Sequence, residues 1–304
     1  MKILITGANG LISQKIILHE LEAGSFEIIA TSKSIPREKI KNARLHYERF
    51  DITDEIRGKE IFEHYKPDFV INTAAVTQAD DCELNTSLCW AVNSSAIPIL
   101  LELCREYNSF FIQFSTDFVF SGDDGPYGED DVPMPVSKYG ASKFEAEKMV
   151  AQSGIEWAIV RTILVYGFSP SLKRKNLVIW VIDSLKAGEK IKVICDQIRT
   201  PTLAEDVASG CAMIIRKKQK GIFHIGGKDT LSPYQMAVET AKYFALDEYL
   251  LEKVVTSDFP QPAKRPLRTG LLIDKAQKLL GYEPHSFREG LEIIEKQIIG
   301  TQRQ

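Results

Sequence analysis

Apolar residues follow two alternating patterns along roughly the first 160 positions of the chain. Short apolar runs of strand length occupy residues 2–6, 27–31, 69–73, 110–114 and 157–161. Between them, apolar positions recur at helical spacing, as in residues 93–107 and 139–152. Strands that alternate with helices predict parallel pairing through right-handed crossovers. The pattern therefore predicts an α/β fold with a doubly wound parallel sheet.

The regular alternation ends after residue 161, where prolines become frequent. They stand at Pro170, Pro201, Pro233, Pro260, Pro262 and Pro266. Because proline interrupts helices and central strands, shorter elements are predicted in this half of the chain. The sequence contains no internal repeat and no low-complexity linker, so it predicts no sharp domain boundary.

The first predicted strand leads directly into a glycine-rich turn. Residues 7–13 read GANGLIS and precede an amphipathic helix, which is the order of elements in a dinucleotide-binding unit. Gly7 would permit the tight turn, and Gly10 would let backbone amides approach a pyrophosphate at the helix N-terminus. Ser13 stands where such motifs usually carry a third glycine, and we expect a modest shift there. A turn of this kind can also be purely structural, but the pair of glycines favours a nucleotide.

Polar side chains follow the strand predicted at residues 110–114. They are Ser115, Thr116 and Asp117. In open parallel sheets, ligands bind beyond the carboxyl ends of the strands. Thr116 is therefore expected at a ligand cleft, and the alternative is a hydroxyl that caps a turn.

Tyr139 and Lys143 are four residues apart in the sequence YGASK. A helix would place the phenol and the ammonium on one face. An unperturbed phenol has a pKa of about 10. A nearby cation favours the phenolate and lowers the cost of proton loss. The pair suits acid/base chemistry, although the same spacing is common on solvated helices.

Composition and charge are those of a globular protein. The chain has 304 residues, of which 44% are hydrophobic and 26% are charged, so it can bury a large core in one domain or two. A formal charge of -3 without a long basic run argues against a nucleic-acid partner. The apolar runs are too short for a signal peptide or a membrane span, so no membrane partner is expected.

Cysteine and histidine positions indicate neither disulfides nor a metal site. The five cysteines form no Cys-x-x-Cys pair, and the histidines lack metal-ligand spacing. His224 is interpreted as a strand residue. We expect reduced thiols, a cytoplasmic location and no bound metal.

Together these motifs resemble the extended short-chain dehydrogenase/reductase family, most closely its dTDP-4-dehydrorhamnose reductase branch. The resemblance covers nearly the whole chain. The matching segments are STDFVF at 115–120, GPYGE at 125–129, YGASK at 139–143, DQ at 196–197, PT at 201–202 and RP at 265–266.

The resemblance implies a Rossmann domain with a smaller, interleaved C-terminal substrate lobe. Residues 1–161 would form the dinucleotide-binding domain, and segments near 196–225 would return to it. Residues 162–195 and 226–304 would form the substrate-binding lobe.

The resemblance also implies an activity, namely reduction of the 4-keto group of a nucleotide-activated deoxysugar. The substrate it implies is dTDP-4-dehydrorhamnose, which would become dTDP-rhamnose. Tyr139 would protonate the developing oxyanion and Thr116 would hydrogen-bond it. Lys143 would hold the nicotinamide ribose and favour the tyrosinate.

Further site residues follow from the family's motifs. The cofactor-binding positions would be Gly7, Asn9, Gly10, Leu11, Ile12, Ser32, Lys33, Asp51, Ile52, Ala74, Ala75, Asn93, Tyr139 and Lys143. The substrate-binding positions would be Asp117, Phe118, Asn176, Gln197 and Arg265. Plain structural roles are the alternatives: a turn carboxylate at Asp51, packing alanines at 74 and 75, and a helix-side amide at Asn93.

The end of the second predicted strand favours NADPH. NAD-specific sites usually carry an acidic residue there, which accepts from the ribose 2'-hydroxyl. Ser32, Lys33 and Ser34 occupy the region here, with Arg37 close behind. Hydroxyls and cations suit a 2'-phosphate. NADPH is therefore expected, and NADH is the alternative because the family includes enzymes that accept both.

Two positions depart from the family's pattern. Phe118 stands where related 4,6-dehydratases carry Glu, which argues against dehydration, but most of the reductase branch carries Tyr there. Arg199 replaces a small residue, and its guanidinium would either bind a diphosphate or narrow the pocket.

Two other functions stay open. Much of the sequence also resembles the regulatory subunit of methionine adenosyltransferase, where a nucleotide site serves binding. A reductase of another carbonyl substrate is the second. The intact set of Thr116, Tyr139 and Lys143 favours catalysis, and a homodimer is the assembly considered.

Overall fold

The computed structural model of the protein describes residues 1–36, 40–172, 174–258 and 260–302. Arg37, considered above for the cofactor, lies outside the described residues.

The strands follow one another along the chain between helices. They are β1 (Lys2–Thr6), β2 (Glu27–Ser32), β3 (Leu45–Arg49), β4 (Phe69–Asn72), β5 (Phe110–Thr116), β6 (Trp157–Thr162), β7 (Val165–Tyr166), β8 (Ile191–Ile194), β9 (Thr202–Leu203), β10 (Gly221–His224) and β11 (Leu251–Val254). The α-helices are α1 (Leu11–Ala23), α2 (Glu55–Tyr65), α3 (Ala79–Leu84), α4 (Thr86–Trp90), α5 (Ile97–Tyr107), α6 (Lys138–Ala151), α7 (Leu177–Lys186), α8 (Ala204–Lys217), α9 (Pro233–Tyr243), α10 (Asp274–Leu280) and α11 (Phe287–Gln302).

The central sheet of the described chain has seven strands in the order β10-β6-β5-β4-β1-β2-β3, and all neighbours are parallel. The predicted apolar runs are β1, β2, β4, β5 and β6. β3 and β10 complete the sheet, and His224 is the last residue of β10, as predicted. The prediction of a doubly wound parallel fold is confirmed.

Apolar side chains cover both faces of the sheet. On one face, α1 and α8 pack against each other and against strand residues such as Ile3 and Ile112. On the other face, α2, α5 and α6 cover residues such as Leu4 and Phe111. Burial on both sides explains why these strands read as continuous apolar runs in the sequence.

The helix predicted at residues 93–107 is built from several pieces. α4 continues through a single π-helical turn, Ala91–Ser95, into α5, where Pro98 stands in the first turn. By length and composition the stretch Thr86–Tyr107 could cross a membrane, yet half of its apolar window is buried. Leu100 and Cys104 pack in the cluster that covers the sheet, so the stretch is a core helix.

A smaller lobe forms around a two-stranded parallel sheet. β8 pairs with β11, and α7 and α9 pack on this sheet through an apolar cluster. α11 joins the lobe through Phe287 and Leu291, which lie in a cluster with Tyr166 of β7. α10, by contrast, packs against α8 and β10 of the central sheet, although it lies within the range 226–304. The predicted domain bounds stay a prediction.

The strand order reverses at β1, whose neighbours are β2 on one side and β4 on the other. At such a point the connections leave the sheet in opposite directions and open a crevice beyond the carboxyl ends of the strands.

Candidate active site

A cavity of about 630 Å³ opens at this end of the sheet. Twelve of the residues predicted for the site line it: Asn9, Gly10, Leu11, Ile12, Ala75, Thr116, Asp117, Phe118, Tyr139, Lys143, Asn176 and Arg265. The cavity therefore brings together the glycine turn, the end of β5, the start of α6 and two segments from the C-terminal half of the chain.

The glycine turn after β1 has the geometry expected of it. Gly7 adopts a left-handed conformation with φ of 69°. A β-carbon there would lie 2.8 Å from the Ala74 backbone nitrogen, so only glycine fits. The Ser13 hydroxyl donates to the carbonyl oxygens of Gly7 (2.6 Å) and Gly10 (3.0 Å). Ser13 therefore closes the turn.

Asn9 joins the glycine turn to the end of β2. Its Nδ2 donates to the hydroxyls of Ser32 (3.0 Å) and Ser34 (3.1 Å). Lys33 forms an ion pair with Asp51 at 2.9 Å. Asn9 lines the main cavity, whereas Ser32, Lys33 and Asp51 lie beyond its walls, next to Asn9 or to one another.

Arg49 adds a cation at the same sheet edge. It is paired in register with Ser32, and its Nε donates to the Lys33 carbonyl oxygen at 3.1 Å. It was missed in the sequence because it ends a half-buried strand with no motif around it.

Gly140 explains how α6 reaches the end of β5. A β-carbon at this position would lie 2.0 Å from the Phe118 carbonyl oxygen, so any other residue would push the helix away. Ser137 caps α6 by accepting from the Gly140 amide at 3.2 Å. The Phe118 and Tyr139 rings then meet edge to face, with centroids 5.6 Å apart. This close approach places Tyr139 beside Thr116.

Burial dominates the titration of the two residues on α6. It raises the pKa of Tyr139, and the neighbouring Thr116 hydroxyl opposes this only in part. Burial also lowers the pKa of Lys143 to about 8, against the attraction of the Glu147 carboxylate. Lys143 was expected to lower the phenol pKa, but the Tyr139 pKa is raised because burial disfavours the phenolate. Tyr139 keeps its proton at neutral pH, as a proton donor must.

A buried polar network continues behind Thr116. The Thr116 hydroxyl donates to Asp117 Oδ1 at 3.1 Å and accepts from the Phe118 amide at 3.2 Å. The other carboxylate oxygen of Asp117 accepts from the Thr269 hydroxyl and lies 3.8 Å from Arg199 Nε. Only 2% of Asp117 is exposed.

Arg199 is part of the cavity wall. Its guanidinium donates to the carbonyl oxygens of Pro266 (2.6 Å), Leu267 (3.0 Å) and Ile198 (2.9 Å), and to Gln197 Oε1 (3.2 Å). Both terminal nitrogens are therefore already engaged by protein acceptors. Of the two roles expected for this departure, narrowing of the pocket fits the geometry and diphosphate binding does not.

Several predicted ligands have side chains that do not line the cavity. Asn93 accepts from the Val76 amide (2.8 Å) and donates to the Ser142 hydroxyl (3.0 Å), and it is 1% exposed. Ile52 is buried in the core beside α2, and Ala74 packs against the same cluster. Within the described chain these three side chains are held by protein contacts, and their role in cofactor binding stays a prediction.

Three predicted substrate residues are held by protein partners. Gln197 donates to the Thr256 hydroxyl at 3.2 Å and does not line the cavity. Asn176 caps α7 and donates to the Gly167 carbonyl oxygen at 2.6 Å. Arg265 binds both oxygens of Asp80, at 2.7 and 3.1 Å. Asn176 and Arg265 do line the cavity.

Two hydroxyls in the cavity wall were missed by the sequence analysis as ligands. Ser115 Oγ and Thr162 Oγ1 are buried and have no hydrogen-bond partner within the described chain. Thr162 ends β6 in register with Thr116, and the end of a parallel strand predicts a position at the ligand cleft for both residues. Buried polar groups are rarely left unpaired, which indicates that a ligand satisfies them.

The residues present fit a dinucleotide cofactor. The glycine turn offers backbone amides at the N-terminus of α1, and Lys143 carries a buried amine. The hydroxyls of Ser115 and Thr162, unpaired among the described residues, line the same cavity. Fold and site together define an extended short-chain dehydrogenase/reductase.

Comparisons with known proteins place the chain within this class. The family model described as RmlD substrate binding domain matches residues 1–298. A probable low-salt glycan biosynthesis reductase of Haloferax volcanii is 31% identical over 97% of this chain and 97% of its own. Methionine adenosyltransferase 2 subunit beta of Xenopus laevis is 28% identical over 95% of this chain and 85% of its own.

Two solved structures are also similar. A dTDP-4-dehydrorhamnose reductase from Clostridium acetobutylicum is 31% identical with a TM-score of 0.86, covering 98% of this chain and 100% of that one. The dTDP-4-dehydrorhamnose reductase of Bacillus anthracis, in complex with NADP, is 26% identical with the same TM-score of 0.86, covering 97% and 99%. The chain belongs to the RmlD substrate binding domain family, in the dTDP-4-dehydrorhamnose reductase branch of the extended short-chain dehydrogenases/reductases.

Proposed function

We propose that this protein is an NADPH-dependent reductase of the 4-keto group of a nucleotide-activated deoxysugar, with dTDP-4-dehydrorhamnose as the substrate. One observation carries the proposal: Thr116, Tyr139 and Lys143 line the same cavity as the glycine turn. Two similar structures are those of dTDP-4-dehydrorhamnose reductases, one of them in complex with NADP. Membership of the family supports reductase activity. The identity of the sugar substrate is our proposal.

The cofactor would lie along the glycine turn and reach Lys143. When bound, NADPH supplies a hydride to the substrate carbonyl carbon. Backbone amides of residues 10–12 would hold the pyrophosphate at the N-terminus of α1. Ser32, Lys33 and Ser34 would face the 2'-phosphate, which favours NADPH, and NADH would bind with fewer contacts.

Tyr139 is proposed as the general acid. Its raised pKa keeps the phenol protonated until negative charge develops on the carbonyl oxygen. Thr116 would donate a hydrogen bond to the same oxygen, and Lys143 would donate to the nicotinamide ribose. The Lys143 ammonium also stabilises the tyrosinate left after proton transfer.

The proposed diphosphate site is formed by arginines that line the cavity. Arg265 and Arg174 both line it, and each pairs with a carboxylate of α3: Arg265 with Asp80 and Arg174 with Asp81. The planar fork of arginine suits phosphate, and Arg174 would offer it because its contact to Asp81 is long, at 3.8 Å. The fork of Arg265 already binds Asp80, so Arg265 would contribute its positive charge. Phe118 presents a ring without a hydroxyl to the sugar, so we expect sugar contacts that differ from those of relatives with tyrosine there.

The test is NADPH consumption by the purified protein with dTDP-4-dehydrorhamnose and a panel of other sugar-nucleotide ketones. We expect turnover with the dTDP sugar that exceeds turnover with uridine and guanosine diphosphate analogues. Product analysis should show a new hydroxyl at C4. Turnover with simple ketones alone would replace the substrate assignment while leaving the reductase chemistry intact.

A second candidate is a non-catalytic regulatory subunit, which the likeness to methionine adenosyltransferase 2 subunit beta favours. Tight NADPH binding, without consumption on any panel member, and co-elution with a methionine adenosyltransferase catalytic subunit would support it. Retention of the three candidate catalytic residues favours the reductase.

A further inference from the structure

Thr116 has one proton, and the Asp117 carboxylate competes for it with the oxygens in the cavity, namely the Tyr139 phenol and the carbonyl oxygen of a bound substrate. The hydroxyl donates to Asp117 Oδ1 at 3.1 Å. Its own oxygen already accepts from the Phe118 amide at 3.2 Å. The reaction proposed above requires the same proton to point at the substrate carbonyl oxygen. The strength of the Asp117–Thr116 hydrogen bond therefore affects whether the Thr116 proton can reach the substrate.

The far oxygen of Asp117 is occupied from the C-terminal half of the chain. Oδ2 accepts from the Thr269 hydroxyl and lies 3.8 Å from Arg199 Nε. Arg199 and Thr269 are 3% and 0% exposed, so water does not screen either contact. Burial raises the pKa of Asp117, and the Arg199 charge and the Thr269 hydrogen bond oppose that rise.

The Asp117 contacts lie on segments that belong to the cavity wall. Arg199 also donates to the carbonyl oxygens of Pro266 and Leu267, and the Thr269 amide donates to the Ile198 carbonyl oxygen at 3.2 Å. Arg199 and Thr269 therefore hold the Asp117 carboxylate in a defined position relative to the cavity wall.

We propose that Thr269 and Arg199 are positioning residues that act through Asp117 on Thr116. By occupying the far carboxylate oxygen, they weaken the hold of Asp117 on the Thr116 proton and free it for the carbonyl oxygen. The inference rests on the proposed reductase function. Neither residue touches the reacting atoms in this scheme.

The first experiment is a double-mutant cycle on turnover with the sugar-nucleotide ketone. Thr269→Val removes the hydroxyl without changing the shape of the side chain, and it should lower kcat about 5- to 10-fold with KM within about twofold. Thr269→Ser restores the hydroxyl and should recover most of the rate. In a protein that already carries Thr116→Val, the further change Thr269→Val should lower kcat less than about twofold. An equal loss in both backgrounds, or no loss in either, overturns the proposal.

Thr240→Val is the matched control. Thr240 is also buried, but its hydroxyl bonds the Met236 carbonyl oxygen within α9, away from the cavity. The kcat of Thr240→Val should equal that of the unaltered protein, because the substitution makes the same chemical change away from Asp117.

The second experiment needs no turnover. Carbon-13 NMR of aspartate-labelled protein, with the Asp117 signal assigned by Asp117→Asn, follows the carboxylate titration. The charged or titratable groups facing it are Arg199 and Tyr139. The Asp117 pKa should rise in Thr269→Val and return in Thr269→Ser, since the hydrogen bond that lowers it is lost and regained. If the Asp117 pKa were the same in Thr269→Val as in the unaltered protein, the proposal would be overturned, whether or not the protein reduces a sugar nucleotide. If the pKa rose as expected but no sugar nucleotide were reduced, only the proposed function would be contradicted.

Discussion

At the scale of single residues, Tyr139 and Lys143 are shielded from water, with 9% and 3% of their surfaces exposed. Each pKa moves toward the neutral form of the group, because burial penalises charge. A phenol that stays protonated is suited to donating a proton to a developing oxyanion. An amine with a pKa of about 8 is still largely an ammonium at pH 7 and can stabilise the tyrosinate that is left. The spacing of the two residues was visible in the sequence, but their burial was not.

Replacement of Tyr139 by phenylalanine should remove the proton donor and little else. We expect kcat to fall by roughly 10²–10⁴-fold, as is typical for loss of one general acid. The NADPH Kd should stay within about twofold, since the ring is retained. Steady-state kinetics and fluorescence titration measure the two quantities. Tyr243→Phe is the control, because its hydroxyl bonds Glu295 outside the cavity, and near-normal kcat in Tyr139→Phe would refute the assignment.

NADPH binding should depend on pH through Lys143. The pKa of this lysine is lowered to about 8, so the ammonium is present below that pH and is lost as pH rises above it. The NADPH Kd should therefore increase by up to about tenfold between pH 7 and pH 9.

Fluorescence titrations at several pH values test this dependence. Lys143→Met should bind more weakly at pH 7 and show little pH dependence. If both proteins changed in parallel, another group would be responsible.

At the scale of elements, the glycine in the turn before α1 is required both by the turn itself and by the close approach of the chain after β4. Gly7 has the left-handed backbone expected for a tight turn, and its missing β-carbon also admits the Thr73–Ala74 backbone after β4. The first requirement could be read from the sequence. The second depends on β4 pairing beside β1, which only the sheet order reveals.

Substitution of Gly7 by alanine should weaken both folding and cofactor binding. Backbone strain costs about 1–2 kcal/mol, and the 2.8 Å approach to Ala74 N must also be relieved by moving the turn. We expect a clear drop in the thermal midpoint and an NADPH Kd raised at least about tenfold. Calorimetry and fluorescence titration provide the readouts.

Gly24→Ala is the matched control for that substitution. Gly24 ends the same helix with φ of 76°, but a β-carbon there would meet only Arg44 at 3.6 Å. It should lower stability by about 1 kcal/mol and leave the NADPH Kd unchanged. Equal Kd values in the two variants would show that the turn does not hold the cofactor.

At the scale of the whole molecule, the C-terminal segment is tied to the nucleotide-binding half across the cavity. Arg265 binds both oxygens of Asp80, and the Ala263 amide donates to the same carboxylate at 3.0 Å. The Arg265 guanidinium is the main cause that lowers the pKa of Asp80. The pair is only partly exposed, at 17% for Arg265 and 32% for Asp80.

Asp80→Asn should therefore destabilise the protein in a pH-dependent way. A carboxylate with a lowered pKa stabilises the fold above its unfolded pKa, near 3.9, and loses this contribution as pH falls through the folded value. At pH 7 we expect a loss of about 1 kcal/mol, or about 1–2 °C in Tm, and at a pH well below the unfolded value of about 3.9 the difference should shrink.

Thermal unfolding of both proteins at the two pH values measures the effect of Asp80. Asp81→Asn removes the longer, exposed contact to Arg174 at 3.8 Å and should change Tm less. A Tm difference that persisted in acid would point to a structural cause other than the ion pair.

The sequence by itself determined the order of strands and helices, the parallel sheet and the glycine turn. These features follow from local periodicity and from backbone conformations that few residues can adopt. It also identified Thr116, Tyr139 and Lys143, because strand ends and helix spacing carry positional information.

Only the tertiary structure decided which polar groups are already satisfied. Asn93, Gln197 and Arg199 looked available in the sequence but are bonded to protein. Ser115 and Thr162 looked ordinary, yet in the part of the chain that the structure describes their hydroxyls have no hydrogen-bond partner. Hydrogen-bond partners and burial come from segments distant in the chain, such as Thr269 beside Asp117. Desolvation depends on everything packed around a group, so no local pattern in the chain could determine it.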